Sequence, residues 1–305
     1  MAGKLLVLNK DADTVSVIDA DTGETEHVVE TDFNPHEVIV TVDGEKTFVT
    51  CSLGNRINVI DNETFEVVDR LDHDDFDFPH GLDVTADGER VYMASTYSEK
   101  VFSIDADSHE IENVVPTHQT YSHMITIDDE SQTAYLANIG SDNVTVFDLE
   151  SETVSGHFPV GGEPEGIRIH PNGRDLYVAN QEDGDLYVVD TETYEISYEC
   201  ALGDCPIRVV FSPDGEYALI PNRLSDDLSI VKTDHLRDGD HRPWEIKRIP
   251  VGKWPGGTVV DDDGTTAYVA NNKTNDVSVI DMESLTEVDR FDAGIHPDGM
   301  AYLAE

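Results

Sequence analysis

Short apolar runs alternate with polar turns along the whole chain, and the pattern recurs as a unit of four runs. Each unit begins with an apolar run that follows a Pro or Gly, as in PEGIRIHP, and continues through a turn that contains DG or NG. Runs such as LYVAN, DLYVVD and EISYECAL complete the unit. Val, Ile, Tyr and Phe in the runs, with Asp, Gly and Asn between them, indicate β-strands joined by hairpin turns. The pattern predicts four-stranded antiparallel units and no helix of useful length.

The start of the first strand in each unit gives the number of units. Seven equivalent positions recur, at His36, His80, His123, Glu165, Ile207, Gly256 and Asp298. Successive positions are 42 to 44 residues apart, except for one interval of 49 residues. Seven four-stranded units at this period predict an all-β, seven-bladed β-propeller that spans residues 1–305 as a single domain. The long interval predicts an insertion in the sixth blade around residues 233–248.

The two ends of the chain predict how the ring of blades closes. The chain begins at a second strand, KLLVLN, and ends just after a first strand, PDGMAYLA. We therefore expect the C-terminal strand to join the N-terminal blade as its innermost strand. Closure of this kind leaves no exposed sheet edge between the first and the last blade.

The tandem signature of the units resembles that of a known family. It is seen in AYVANNKTNDVSVID from Ala267 and LLVLNKDADTVSVID from Leu5, and it is similar to the repeats of YVTN-repeat β-propellers. The resemblance covers essentially the whole chain and implies the propeller fold. Relatives in that family include surface-layer proteins, lactonase-like enzymes and proteins that handle cofactors or metals. Function must therefore be argued from individual residues.

Composition restricts the expected partners. The chain has 305 residues with 19 Lys and Arg against 64 Asp and Glu, a net charge of −45 at pH 7. Such a charge repels nucleic acid and anionic lipid, so neither is expected as a partner. Dispersed acidic residues and few lysines resemble the proteins of halophilic microbes, in whose cytoplasm salt screens the self-repulsion.

Cysteine usage and the N-terminal segment bear on location. Cys51, Cys200 and Cys205 are too few, and odd in number, for a disulfide framework. The segment MAGKLLVLNKDADT has the features of neither a secretory signal nor a transmembrane span. A cytoplasmic location is therefore expected, with a monomer as the default state.

Histidines occupy the equivalent strand start in three consecutive blades. His36, His80 and His123 are followed in this ring by Glu165, and Asp298 precedes them in the neighbouring blade. In propellers this position lies at the mouth of the central channel, together with the loops between second and third strands. The spacing therefore predicts an arc of ligand-type side chains at the mouth. The alternative is that each histidine caps its strand or hydrogen-bonds to a neighbouring loop.

Two kinds of chemistry fit such an arc. Three imidazoles and a carboxylate suit Zn, Mn, Fe or Cu, so His36, His80, His123 and Glu165 are candidate metal ligands of a lyase, hydrolase or oxidoreductase. A metal-free site would use histidine and carboxylate for acid–base work, as the resemblance to lactonase-like propellers implies. His80 and Glu165 are the candidate catalytic residues in both cases. A non-catalytic interaction scaffold is the third possibility.

Scarce cations and aromatic residues complete the candidate site. Arg208, on the innermost strand of the fifth blade, and Arg223, in a mouth-side loop of the sixth, are expected to bind a carboxylate or phosphate. Trp254 and Tyr97 are expected to form walls, and Asp298 completes the ring of ligand-binding residues. Alternatively, the cations pair with surrounding Asp and Glu side chains. The sequence thus predicts an enzyme or binding protein for a small, anionic molecule at the channel mouth.

Overall fold

The computed structural model describes residues 3–128, 130, 132–233 and 244–304. These residues form seven four-stranded antiparallel sheets, which confirms the predicted all-β, seven-bladed propeller. The helical content of the described part is two short 3-10 turns, Ser52–Gly54 and Ile139–Ser141. No helix in these ranges has the length and apolar character needed to span a membrane.

The blades are numbered from the one that contains the N-terminal strand. Blade 1 contains β1 (Lys4–Asn9), β2 (Thr14–Asp19), β3 (Thr25–Glu30) and the last strand, β28 (Pro297–Leu303). Blade 2 contains β4 (Pro35–Val40), β5 (Lys46–Cys51), β6 (Arg56–Asp61) and β7 (Glu66–Leu71). Blade 3 contains β8 (Pro79–Val84), β9 (Arg90–Ser95), β10 (Lys100–Asp105) and β11 (Ile111–Pro116). Blade 4 contains β12 (Ser122–Asp128), β13 (Thr133–Asn138), β14 (Asn143–Asp148) and β15 (Thr153–Pro159).

In blades 5, 6 and 7 the strands also follow the order of the chain from the channel outward. Blade 5 contains β16 (Pro164–Ile169), β17 (Asp175–Asn180), β18 (Asp185–Asp190) and β19 (Ile196–Ala201). Blade 6 contains β20 (Val210–Phe211), β21 (Tyr217–Asn222), β22 (Asp227–Lys232) and β23 (Trp244–Pro250). Blade 7 contains β24 (Pro255–Val260), β25 (Thr266–Asn271), β26 (Asp276–Asp281) and β27 (Thr286–Asp292).

Ring closure occurs as the sequence predicts. The C-terminal strand β28 pairs antiparallel with β1, with Lys4 opposite Leu303, and becomes the innermost strand of blade 1. Inner strands also contact one another around the channel, as β28 contacts both β24 and β4. The sheets therefore form a closed ring.

Blade 6 departs from the sequence prediction in two respects. Residues 244–248, predicted as part of the insertion, belong to the regular outer strand β23, while residues 234–243 lie outside the described part. Arg208 and Arg223, predicted in the fifth and sixth blades, both belong to blade 6, because a first strand pairs with the second strand that follows it. The inner strand is also short, with only an isolated bridge between Pro206 and Asn222 before β20.

The hydrophobic core consists of clusters that join neighbouring blades. In one of them Phe48 and Ile57 of blade 2 pack with Leu82, Met93 and Phe102 of blade 3. These side chains are almost fully buried. Removal of this apolar surface from water holds the faces of adjacent sheets together.

Glycines bring the inner strands close together one residue beyond the strand start. The position is occupied by glycine in four blades, at Gly81, Gly166, Gly257 and Gly299. A Cβ atom on Gly81 would lie 2.6 Å from the carbonyl oxygen of His123, and one on Gly257 would lie 2.0 Å from that of Asp298. Only a residue without Cβ permits this approach, so the glycines determine how narrow the channel is below the mouth.

Candidate active site at the channel mouth

A cavity of about 330 Å³ lies at the end of the channel where the inner strands begin. Its lining includes six of the seven strand starts, namely His36, His123, Glu165, Ile207, Gly256 and Asp298. Loops between second and third strands add Lys10, Thr96, Tyr97, Ile139, Arg223 and Asn272, and the residues before inner strands add Phe78, Tyr121 and Trp254. The structure thus places most of the residues singled out in the sequence around one cavity.

His80 and Arg208 lie beneath this cavity rather than on its surface. The His80 side chain is only 1% exposed, and its ring lies between those of His36 and His123, with centroid distances of 4.5 and 3.6 Å. Arg208 is also buried, and it lines the part of the channel that lies below the mouth cavity. The geometry therefore does not favour direct contact between a ligand in the mouth and either His80 or Arg208.

The two histidines that line the cavity have different polar neighbours. His36 Nε2 lies 3.1 Å from Lys10 Nζ and 3.5 Å from Asp298 Oδ2. His123 Nδ1 lies 3.0 Å from Thr96 Oγ1. Among the described residues, the buried Nδ1 atoms of His36 and His80 have no hydrogen-bond partner.

Burial keeps the imidazoles of the arc neutral. It lowers the pKa of His36 and His80 well below the ordinary value of 6.5 and lowers that of His123 to about 4. Nearby cations, among them Arg208 and Lys10, act in the same direction. The arc is therefore uncharged at neutral pH, and its nitrogens are weaker bases than those of an ordinary imidazole.

The carboxylates at the mouth are ionised because each contacts a cation. Lys10 Nζ lies 2.9 Å from Asp298 Oδ2, and Arg223 Nη2 donates to Glu165 Oε1 at 3.1 Å. Burial opposes ionisation, but Arg223 and Arg208 hold the pKa of Glu165 below its usual value. Lys10 and the other positive neighbours likewise hold the pKa of Asp298 well below the ordinary range despite its burial.

The arrangement of the arc does not match the predicted Zn, Mn, Fe or Cu centre. Within the described ranges, no group of three or more His, Cys, Asp or Glu side chains is placed to hold a metal ion. The rings of His80 and His123 are stacked at an interplanar angle of 22°, so their in-plane lone pairs do not converge on one point. Glu165 Oε1 accepts hydrogen bonds from both Arg208 and Arg223. As arranged in the structure, these four residues do not fit a shared metal ion.

A carboxylate that the sequence analysis did not select lies directly below the mouth. Glu37 accepts a hydrogen bond from Arg208 Nη2, and its Oε1 is 3.7 Å from His80 Nε2. Glu37 and Arg208 also line a second cavity of about 690 Å³ toward the other end of the channel. Burial raises the pKa of Glu37 to about 7, although Arg208 opposes the shift. Neither Glu37 nor Arg208 is part of the lining of the mouth cavity.

The signal for Glu37 is present in the sequence one position beyond the strand starts. The residues there are Glu37, Gly81, Met124, Gly166, Arg208, Gly257 and Gly299. Only two of the seven are charged, and they have opposite signs. A comparison of this second position across the blades would have predicted a pair across the channel.

Aromatic residues form part of the cavity wall. The ring centroids of Phe78 and Tyr97 are 5.0 Å apart, and those of Tyr97 and Tyr121 are 5.5 Å apart. In blade 7 the Trp254 ring is approached by Arg223 and Lys273, at 5.8 and 4.8 Å from its centroid. Tyr97 and Trp254 thus line the mouth at the positions expected from the sequence, and Tyr121 is a further wall residue.

Comparison with protein families matches part of the chain. A family model described as YNCE-like beta-propeller matches residues 3–131. Over these residues the chain is similar to that family. No curated protein matches the chain.

Solved structures share the propeller over nearly the whole chain at low sequence identity. Hydrazine synthase of Kuenenia stuttgartiensis is 20% identical, with 91% of this chain and 92% of that chain covered and a TM-score of 0.81. A putative 6-phosphogluconolactonase from Bacteroides fragilis is 15% identical, with 99% and 98% covered and a TM-score of 0.81. The dihydro-heme d1 dehydrogenase NirN is 17% identical, with 98% and 74% covered and a TM-score of 0.71. At these identities the likeness shows the fold, which these enzymes share.

Proposed function

We propose that the protein is a metal-free, lactonase-like hydrolase whose active site is the cavity at the channel mouth. The observation behind this proposal is that a neutral imidazole, two ionised carboxylates and two partly exposed cations line one small cavity. These are the groups that acid–base catalysis of ester hydrolysis requires. The putative lactonase among the similar structures is in keeping with the proposal.

Arg223 and Lys10 are the residues that would hold a negatively charged substrate. Both line the cavity, and each side chain is 26% exposed although it contacts a carboxylate. A guanidinium has five N–H donors, and the structure uses one of those of Arg223 on Glu165. The remaining donors can bind a carboxylate or phosphate of the substrate and stabilise negative charge on the reacting carbonyl oxygen.

His123 is the candidate general base. If its Nδ1–H donates to Thr96 Oγ1, the Nε2 lone pair accepts a proton from a water molecule. That water oxygen bonds to the lactone carbonyl carbon, the ring C–O bond then breaks, and His123 returns the proton to the departing oxygen. The product is a hydroxy acid. Glu165 favours the protonated imidazole electrostatically, and stacked His80 holds the ring in position.

The test is an assay of hydrolysis with a panel of γ- and δ-lactones. The reaction is monitored by the release of acid, and a chelator is present throughout. The His123→Gln variant should lose activity by about 10²-fold or more, since it removes the base. The His27→Gln variant, on an exposed outer strand of blade 1, should keep the activity of the parent. Hydrolysis that survives in His123→Gln, or no hydrolysis of any lactone by the parent, would contradict the proposal.

A binding function without catalysis is the second candidate. It is favoured by the pairing of the mouth cations with carboxylates, Lys10 with Asp298 and Arg223 with Glu165, which leaves little net charge to activate a substrate. Saturable binding of an anion at the mouth without turnover of any lactone would support this function over hydrolysis.

A further inference from the structure

The wall of the mouth cavity differs from one side of the ring to the other. On the side of blades 3 and 4, Phe78, Tyr97 and Tyr121 form a chain of ring contacts. This chain continues inward, since Phe78 stacks on His80 at 5.8 Å with an interplanar angle of 8°. The planes of Phe78 and Tyr97 meet at 41° and those of Tyr97 and Tyr121 at 70°, so this wall offers both ring faces and ring edges to the cavity.

The backbone conformation of these wall residues is a property of the repeat. The residue two positions before each of the seven recurring strand-start positions is left-handed, with φ of 61° at Phe78, 58° at Tyr121 and 56° at Trp254. Asn34 and Glu163 adopt it at the same position, so the fold does not require an aromatic side chain there. The contacts of Phe78, Tyr121 and Trp254 must therefore explain why these three residues are aromatic.

Three of these rings are well exposed at the rim of the cavity. Tyr97 is 53% exposed, Tyr121 44% and Trp254 41%, although each lines the cavity. Large aromatic surface that remains open around a concave site gains free energy when a flat apolar group covers it. The exposed rings at the mouth are placed to contact such a group.

Cations are concentrated on the opposite side of the mouth. Trp254 lies in blade 7, three blades from both blade 3 and blade 4 in the seven-membered ring. Its ring is approached by Arg223 and Lys273, and Lys10 lies in the adjacent blade 1. A ligand that spans the cavity would meet rings at one end and, at the other, the remaining N–H donors of Arg223 and Lys10, which are paired with Glu165 and Asp298.

We infer that the ligand of the mouth cavity is a flat aromatic ring system that bears a carboxylate or phosphate group. The ring would contact the face of one of the three rings Phe78, Tyr97 and Tyr121 and the edges of the others, and the anionic group would bind Arg223 and Lys10. This inference rests on the proposed function only in taking the same cavity as the substrate site. The volume of about 330 Å³ suits a molecule of one or two fused rings.

The experiment measures the binding of three matched probes by isothermal titration calorimetry on the whole chain. The probes are 2-naphthoate, its saturated analogue decahydro-2-naphthoate, and the uncharged 2-naphthamide; none contains a lactone. We expect 2-naphthoate to bind about tenfold tighter than either analogue, because each analogue lacks one of the two contacts. Equal affinities for the aromatic and the saturated acid would overturn the inference.

Two variants test whether the aromatic wall causes the selectivity for the aromatic acid. Tyr97→Leu should lower the affinity for 2-naphthoate about tenfold and leave that for the saturated acid within about twofold. Tyr194→Leu is the matched control, because Tyr194 is 40% exposed in an outer turn of blade 5 and stacks on Phe158. An equal loss in both variants, or no binding of 2-naphthoate by the parent, would also overturn the inference.

The outcomes separate this inference from the proposed hydrolysis. Both acids bound equally, with affinity lost in Arg223→Gln, would overturn the aromatic specificity and leave the hydrolase untouched. Selective binding of 2-naphthoate without turnover of any lactone would support the specificity and contradict the hydrolase.

Discussion

At the scale of single residues, the feature that stands out is a buried carboxyl that titrates near neutrality. Glu37 contacts Arg208 and lies near His80, and its pKa is raised to about 7 by burial. Below that pH it is neutral, so the positive charge of Arg208 is less compensated. The charge of the layer beneath the mouth therefore depends on pH across the physiological range.

We expect anion affinity at the mouth to fall as the pH rises through about 7. Glu37 becomes ionised there and adds a negative charge below the site, which should weaken anion binding roughly three- to tenfold between pH 6 and pH 8. The measurement is titration calorimetry with 2-naphthoate in buffers of different ionisation enthalpy, which also reports proton uptake. The Glu37→Gln variant should bind with little pH dependence. The same slope in parent and variant would assign the effect to another group.

At the scale of strands, the sequence predicted where each inner strand begins, but it did not predict which side chains contact one another. The period located each strand start, and the structure places six of the seven around one cavity. The period could not show that His80 lies beneath its neighbours, because ring stacking depends on how closely adjacent inner strands approach. It also left open whether Arg223 would pair with Glu165, since side-chain partners across the channel are far apart in sequence.

The close approach of inner strands at Gly81 predicts a sensitive position. In Gly81→Ala the added Cβ would lie 2.6 Å from the carbonyl oxygen of His123, so the strands must separate. We expect a loss of about 1–3 kcal/mol in the free energy of unfolding, measured by urea denaturation. Gly156→Ala is the control, because a Cβ there meets no atom within 4 Å and should change the stability by less than about 0.5 kcal/mol. Equal losses would show that the spacing of inner strands is not the cause.

At the scale of the whole molecule, the net charge lowers the stability of the folded state and the packing between blades raises it. The net charge of −45 makes the compact state repel itself, while buried clusters between blades hold the ring together. The fold class and the closure of the ring followed directly from the repeat. Six of the seven strand starts line one cavity because the repeat relates equivalent positions in space, whereas His80 and Arg208 lie beneath it.

Salt should therefore stabilise the protein. Raising KCl from about 0.1 to 1 M shortens the screening length from about 10 to about 3 Å and weakens the repulsion among surface carboxylates. We expect the midpoint of thermal unfolding to rise over this range, as followed by circular dichroism. Sucrose at matched osmolality serves as the control for effects other than screening. An equal rise in sucrose would mean that charge repulsion is not what limits stability.

The pairing of β28 with β1 also determines how the molecule comes apart. In an open array of repeats, a terminal repeat has one neighbour and can fray by itself, so unfolding can proceed from the ends. Here the strands at the two ends of the described chain are paired in one sheet, with β28 innermost, β1 beside it and Lys4 opposite Leu303. No blade can detach until that sheet splits, and splitting it exposes two blades at once. The closed ring of seven blades should therefore unfold as one cooperative unit rather than blade by blade.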